Sequence, residues 1–188
     1  MKHVIKDVLH ELDDILAYQA EYLRTHVDNI DESDLTWRPG QYRWNILEVI
    51  EHLNRFGEHY LPRLADIIDA PRHFKQSDIY NSGWIGEFFM KQTRPVNGVV
   101  PNKAKSPSRV NPFLRELDRS VIYEYKDQVE RLRGMLQKLD SINLSKNRIP
   151  VLALGMLKLN LGDSLRFLTY HAERHFVQLD NLVHKRRD

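Results

Sequence analysis

The chain has 188 residues, 41% of them hydrophobic and 29% charged, with 28 Lys and Arg against 26 Asp and Glu and no Cys. That length fits one domain with its own core, taken as residues 1–188, and the composition excludes a low-complexity or disordered chain. The near-balance of charge, formally +2, excludes the basic footprint of a nucleic-acid binder, and the lack of Cys excludes disulfides, thiolate metal sites and a cysteine nucleophile.

The N-terminal stretch MKHVIKDVLHELDDIL is charged throughout. It offers neither an apolar h-region nor a small-residue cleavage site, so no signal peptide is expected. No stretch approaches the ~18 apolar residues of a membrane span. The expectation is a cytoplasmic protein without a membrane partner.

The first helix is predicted near residues 2–28, where Ile5, Val8, Leu12, Ile15, Gln19 and Tyr22 recur at steps of three and four. Pro39 and Gly40 mark a break. A second helix is predicted over 45–69. Asn45 and Glu48 have capping-box spacing, and Trp44 before them is placed to staple onto Val49. Ile46, Val49, Leu53, Tyr60, Leu64 and Ile67 form its apolar row. Pro62 lies inside that row and is expected to kink the helix or end its regular part.

Residues 70–118 follow as a long crossover, in which Trp84, Ile85, Phe88 and Phe89 predict a short packed helix. From Met90 to Leu114 there is no acidic residue, while Lys91, Arg94, Lys103, Lys105 and Arg109 occur among Pro95, Gly98, Pro101 and Pro107. This reads as an extended basic loop: a lid or anion-binding segment, or a solvated surface loop. Ile122, Tyr125, Val129, Leu132, Leu136 and Leu139 predict a third helix near 116–140, and Pro150 breaks the chain again. A fourth is predicted over 161–184, opened by Asn160 with Asp163 and carrying Leu161, Leu165, Leu168, His171, His175, Gln178 and Leu182 on one stripe. Four such helices make an all-α four-helix bundle, with no sheet expected beyond stray bridges.

The chemistry lies in that last stripe. Two imidazoles and an amide stand where the pattern asks for leucine, and burying unpaired polar groups costs a few kcal/mol each. A divalent metal would satisfy both histidines at once, neutral imidazole being a good ligand for such ions; a pair of surface histidines is the other reading of the spacing. Glu173, about 200° around the helix from each histidine, does not follow His171 directly as a zincin base would, and is expected to face solvent. On the second helix His52 lies beside the Val49 and Leu53 row and offers a third ligand, or else is a core-edge histidine bonded to a neighbour. His59, seven residues on, is its rival. Glu48 serves either as the cap partner or as an acceptor behind His52.

The segment WRPGQYRWNILEVIEHLNRF resembles the W-S-x-x-E-x-x-x-H-L signature of DinB-like proteins, with Asn45 in place of the usual Ser or Thr. The segment YHAERHFVQLDNL resembles their second signature, H-x-x-x-H-x-x-Q. The resemblance spans roughly residues 1–185 and includes the bacillithiol- and mycothiol-dependent S-transferases of that superfamily. It implies a metal-binding triad of His52, His171 and His175, and an up-down-down-up bundle with its long crossover between helices two and three. It also implies a metal-dependent enzyme, either a hydrolase or a transferase that activates a low-molecular-weight thiol at zinc, nickel or iron. Gln178 is the expected cofactor-binding residue beside the metal. A small molecule is the expected substrate. The alternative is a metal-stabilised bundle without turnover, acting as an interaction or ligand-binding module. Association of similar bundles implies a homodimer, for which Tyr18, Leu23, Val121 and Tyr123 supply apolar surface beyond the inner stripes.

Overall fold

The structure is a computed structural model, and it describes residues 1–70, 75, 77–100, 106–152 and 154–185. In chain order the elements are β1 (Lys2–Val4), α1 (Ile5–Tyr22), α2 (Glu32–Leu35), α3 (Ile46–Asp69), β2 (Ile79–Asn81), α4 (Trp84–Thr93), α5 (Ser120–Leu136), β3 (Arg148–Pro150), β4 (Lys158–Asn160) and α6 (Leu161–Lys185). Helices α1, α3, α5 and α6 form the bundle. Both α1 and α3 pack against α5 and α6, so α1 and α3 stand across the core from each other. The predicted stripes are what they bury: Leu12, Val49, Ile122 and Leu161 are all but inaccessible.

Local chemistry explains the ends. The Asn45 side chain accepts from the Glu48 N–H at 2.8 Å, and Glu48 accepts from the Asn45 N–H at 3.0 Å, a complete capping box that starts α3. Asn160 accepts from the Asp163 N–H at 2.7 Å and starts α6. The chain continues past α1 through one π-helical turn, Leu23–Val27, closed by the Asp28 N–H on the Leu23 carbonyl at 2.9 Å. The wider turn brings both Leu23 and Val27 into the core.

Several expectations are corrected. Pro62 does not end α3, which runs on to Asp69; the carbonyl it deprives of a partner belongs to Glu58, on the exposed side of the helix. Stray bridges are instead two small antiparallel sheets. β1 pairs with β2, setting His3 opposite Tyr80, and β3 pairs with β4 in a hairpin that leads into α6. Each strand has three residues, too few to show an alternating pattern. The short helix at Trp84 exists as α4, with Ile85 and Phe89 packed against the core as expected beside the buried Gly86, Met90 and Thr93, but Trp84 and Phe88 are exposed. Leu23 and Val121 belong to the core, leaving Tyr18 and Tyr123 as exposed side chains of the set expected to pair two copies. Lys103, Lys105 and Pro101 of the basic loop lie outside the described residues. Among the described residues no helix is long and apolar enough to cross a membrane.

Candidate metal centre

The capping box that starts α3 also orients its first turns. Glu48 is fully buried, and its two oxygens accept from the two terminal guanidinium nitrogens of Arg38 at 2.5 and 2.8 Å and from the Leu114 N–H at 2.7 Å. One carboxylate thereby ties the segment before α3, the helix itself and the end of the crossover. It is not the acceptor behind His52. One turn further along, His52 donates its Nδ1–H to the Val110 carbonyl at 2.8 Å, where a single turn of 3-10 helix, Ser108–Val110, delivers the crossover to the bundle.

His171 and His175 stand one turn apart on α6 and face His52. The ligand-capable atoms of the three rings lie within 4.8 Å of one another. His52 Nε2 and His171 Nε2 are 3.1 Å apart. Two nitrogens bound to one tetrahedral ion at ~2.0–2.1 Å would be about 3.3 Å apart, so that pair already has coordination spacing. His175 donates Nδ1–H to the Gln178 side-chain oxygen at 3.1 Å. Gln178 therefore stands behind a ring rather than in front of it, as an outer partner that leaves the opposite nitrogen free.

These hydrogen bonds fix the tautomers. With Nδ1–H committed to a carbonyl, neutral His52 presents a bare Nε2. The His171 Nε2 facing it at 3.1 Å carries the proton between them. Coordination by His171 requires that proton to move to its Nδ1, on the least buried of the three rings. Burial is the largest influence on all three: it lowers His52 to about 4, despite the Val110 bond that favours its charged form, lowers His175 to about 3, and holds His171 well below the usual 6.5. The site is thus a cluster of neutral imidazoles at pH 7, the protonation state a metal requires.

Aromatic rings close its flanks. Phe56 stacks on His171 at 4.0 Å between centroids, and Phe167 lies 5.8 Å from it. The Trp44 indole sits 4.9 Å from His52 and lies within 26° of parallel to His175 at 6.1 Å. Phe56 follows His52 by one turn, and Phe167 precedes His171 by one turn, so helical spacing was a signal that could have found both. The Trp44 indole packs against the core, and its Nε1–H goes to the Asn111 side-chain oxygen at 3.2 Å, a partner that its place before the cap does not predict. Val110 and Asn111 carry no signal in the sequence at all.

The other candidates lie elsewhere. His59 donates to the Pro150 carbonyl at 2.8 Å. Glu173 does point away from the three rings, but not into open solvent. One oxygen is 4.0 Å from Arg94 Nε. Burial raises its carboxyl, opposed by Arg94 and reinforced by Glu11. Arg94 itself pairs with Glu11 at 2.5 Å and lies over the Tyr170 ring, so this cation of the basic segment holds the crossover to the bundle.

The sequence description of the DinB superfamily matches residues 15–179. The chain belongs to the DinB superfamily. No curated protein and no solved structure matches it significantly. The matched span of this DinB-superfamily chain contains His52, His171, His175 and Gln178. The three histidines are a grouping that can hold a divalent metal ion: two rings are held from behind, all three are electrically neutral, and imidazole nitrogen is a donor suited to such ions.

Proposed function

We propose that His52, His171 and His175 bind one divalent metal, zinc, nickel or iron, and that this DinB-superfamily protein is a metal-dependent enzyme. The reaction that fits best is transfer of a low-molecular-weight thiol to a small electrophilic substrate, with metal-assisted hydrolysis as the other chemistry of the same centre. The observation that carries the reading is the convergence of three neutral imidazoles, two held from behind by Val110 and Gln178, and the third, His171, incompletely buried. A three-ligand site leaves coordination positions for substrate. Bound there, such an ion supplies a Lewis acid that favours the ionised form of a thiol or a water. The chain's own residues do the rest. Val110 and Gln178 fix ring tautomers, while Trp44, Phe56 and Phe167 exclude water from the flanks of the rings. Gln178 acts on the cofactor through His175. The absence of Cys leaves the nucleophile to come from outside the chain.

The test is a turnover screen of metal-loaded protein against several low-molecular-weight thiols with a haloalkyl electrophile, alongside ester and amide substrates. Turnover that requires both the thiol and the metal, and vanishes in His171→Ala, supports transfer. Thiol-independent cleavage supports hydrolysis. Stoichiometric metal with no turnover anywhere in the screen would favour the bundle as a metal-stabilised binding module. Association as a homodimer is a further part of the proposal, carried by the exposed Tyr18 and Tyr123 on the neighbouring helices α1 and α5. A monomer mass by light scattering at high micromolar concentration would contradict it.

A further inference from the structure

Two consecutive residues of the crossover reach the candidate metal centre from outside the bundle. The Val110 carbonyl takes the Nδ1–H of His52, and the Asn111 side-chain oxygen takes the Nε1–H of Trp44 at 3.2 Å. The same Asn111 oxygen accepts from the Phe113 N–H at 3.1 Å, a local turn that fixes the amide. Trp44 lies just before the cap of α3, where helical geometry no longer dictates its side-chain direction. An indole has a single polar atom, its N–H donor, and where that donor is satisfied decides how the ring faces. Here the bond spans 67 residues. It sets the indole at 4.9 Å from His52 and nearly parallel to His175.

We propose that Asn111 is a positioning residue of the metal centre: its side-chain oxygen anchors the Trp44 indole, and the anchored ring holds the imidazoles of His52 and His175 in their metal-binding orientation. This rests on the three-histidine metal reading given above. The physical need is plain from the hydrogen bonds. His175 donates to Gln178 at 3.1 Å, and a single bond at one ring nitrogen fixes one point of the imidazole without fixing the tilt of its plane. A large flat neighbour within 26° of parallel to it, 6.1 Å away, limits that tilt on one side. It also covers one flank of His52, whose other nitrogen is already bound to Val110. The crossover is therefore a working part of the site and not a connection passing by it.

A rival role for Asn111 is to shape the loop alone, acting on His52 through Phe113 and Val110. The two roles separate in a double-mutant cycle. Nickel binding to the full-length, metal-stripped protein is measured by titration calorimetry for the wild type, Asn111→Ala, Trp44→Phe, the double variant and Asn111→Asp. Trp44→Phe keeps a ring but loses the N–H. The expected result is about a tenfold loss of affinity in each single variant, the usual size for an outer partner of a metal ligand. The double variant should be no weaker than the weaker single, and Asn111→Asp, which keeps the acceptor oxygen, should recover most of the loss. Wild-type affinity in Trp44→Phe, or losses that multiply in the double variant, overturns the inference and leaves the metal site standing. A wild type that binds no nickel overturns the metal site and the inference together. Should Asn111→Ala fail to fold, Trp44→Phe and Asn111→Asp still decide the matter.

Discussion

Acidifying the metal-free protein from pH 7 to pH 5 should destabilise it steeply, and the buried histidines set the slope. Their folded-state values lie below the unfolded 6.5, at about 4 for His52 and about 3 for His175. The unfolded chain therefore takes up protons that the native chain refuses. Stability is fully present above pH 6.5 and is lost as pH falls towards the folded values. Each such group contributes about 1.4 kcal/mol per pH unit once its unfolded form is protonated. Over this interval that is about 2 kcal/mol for each ring, or ~4 kcal/mol for the two, against the ~5–15 kcal/mol that holds a typical domain. His171 acts in the same direction. Glu87 is lowered to about 2, its bonds to Arg166, His3 and Ser82 outweighing its burial, and it loses its contribution only below about pH 4.5, outside the interval. The assay is urea unfolding followed by circular dichroism at pH 7, 6 and 5, for the wild type and for His52→Asn/His175→Gln. The variant should lose about 4 kcal/mol less than the wild type over the interval. Parallel losses in the two proteins would show that His52 and His175 do not set the slope, because other titrating groups are common to both.

Further outcomes follow from single contacts. Glu48→Ala leaves the Arg38 guanidinium and the Leu114 and Asn45 N–H groups without their acceptor; the expected cost is about 3 kcal/mol by urea unfolding, and a cost near zero would show that this clamp is idle. Gln178→Leu removes the acceptor from His175 Nδ1, and about a tenfold loss of metal affinity should follow with little change in stability; unchanged affinity would remove Gln178 from the site. A Cβ added at Gly86 would stand 2.3 Å from the Asp163 carboxylate, which accepts from Gly83 N–H at 2.9 Å at the start of α4. Gly86→Ala is therefore expected to cost about 2 kcal/mol, and a thermal midpoint equal to that of the wild type would contradict the packing.

How much was legible in the sequence follows the range of the interaction. The Asn45–Glu48 box and the Asn160 cap are patterns of four consecutive residues, so both helix starts could be read directly. His171, His175 and Gln178 share a stripe by spacing alone, and the polar intrusion into an apolar row made them visible. The π-turn at Leu23–Val27 and the passage of α3 through Pro62 were not visible, because tertiary packing and solvent decide them rather than local propensity. The three-residue strands were too short for a period. Trp44 shows the limit most clearly: the spacing before a cap speaks only of apolar packing, and the polar partner of its N–H is 67 residues away. The Val110 carbonyl that orients His52 is a backbone group, and any residue there would supply it. The outer half of the site thus rests on a crossover whose path no local pattern encodes.

One divalent metal held by His52, His171 and His175 is the feature on which the proposed chemistry depends. The most direct measurement is stoichiometric titration of metal-stripped protein with cobalt(II), followed by its visible absorption, in the wild type, His171→Ala and His52→Ala/His171→Ala. The wild type should bind one equivalent per chain, with d–d bands of a low-coordinate site, and both variants should lose tight binding while their helical dichroism persists. Retention of a full equivalent by His52→Ala/His171→Ala would contradict the three-histidine site and place the metal elsewhere on the chain.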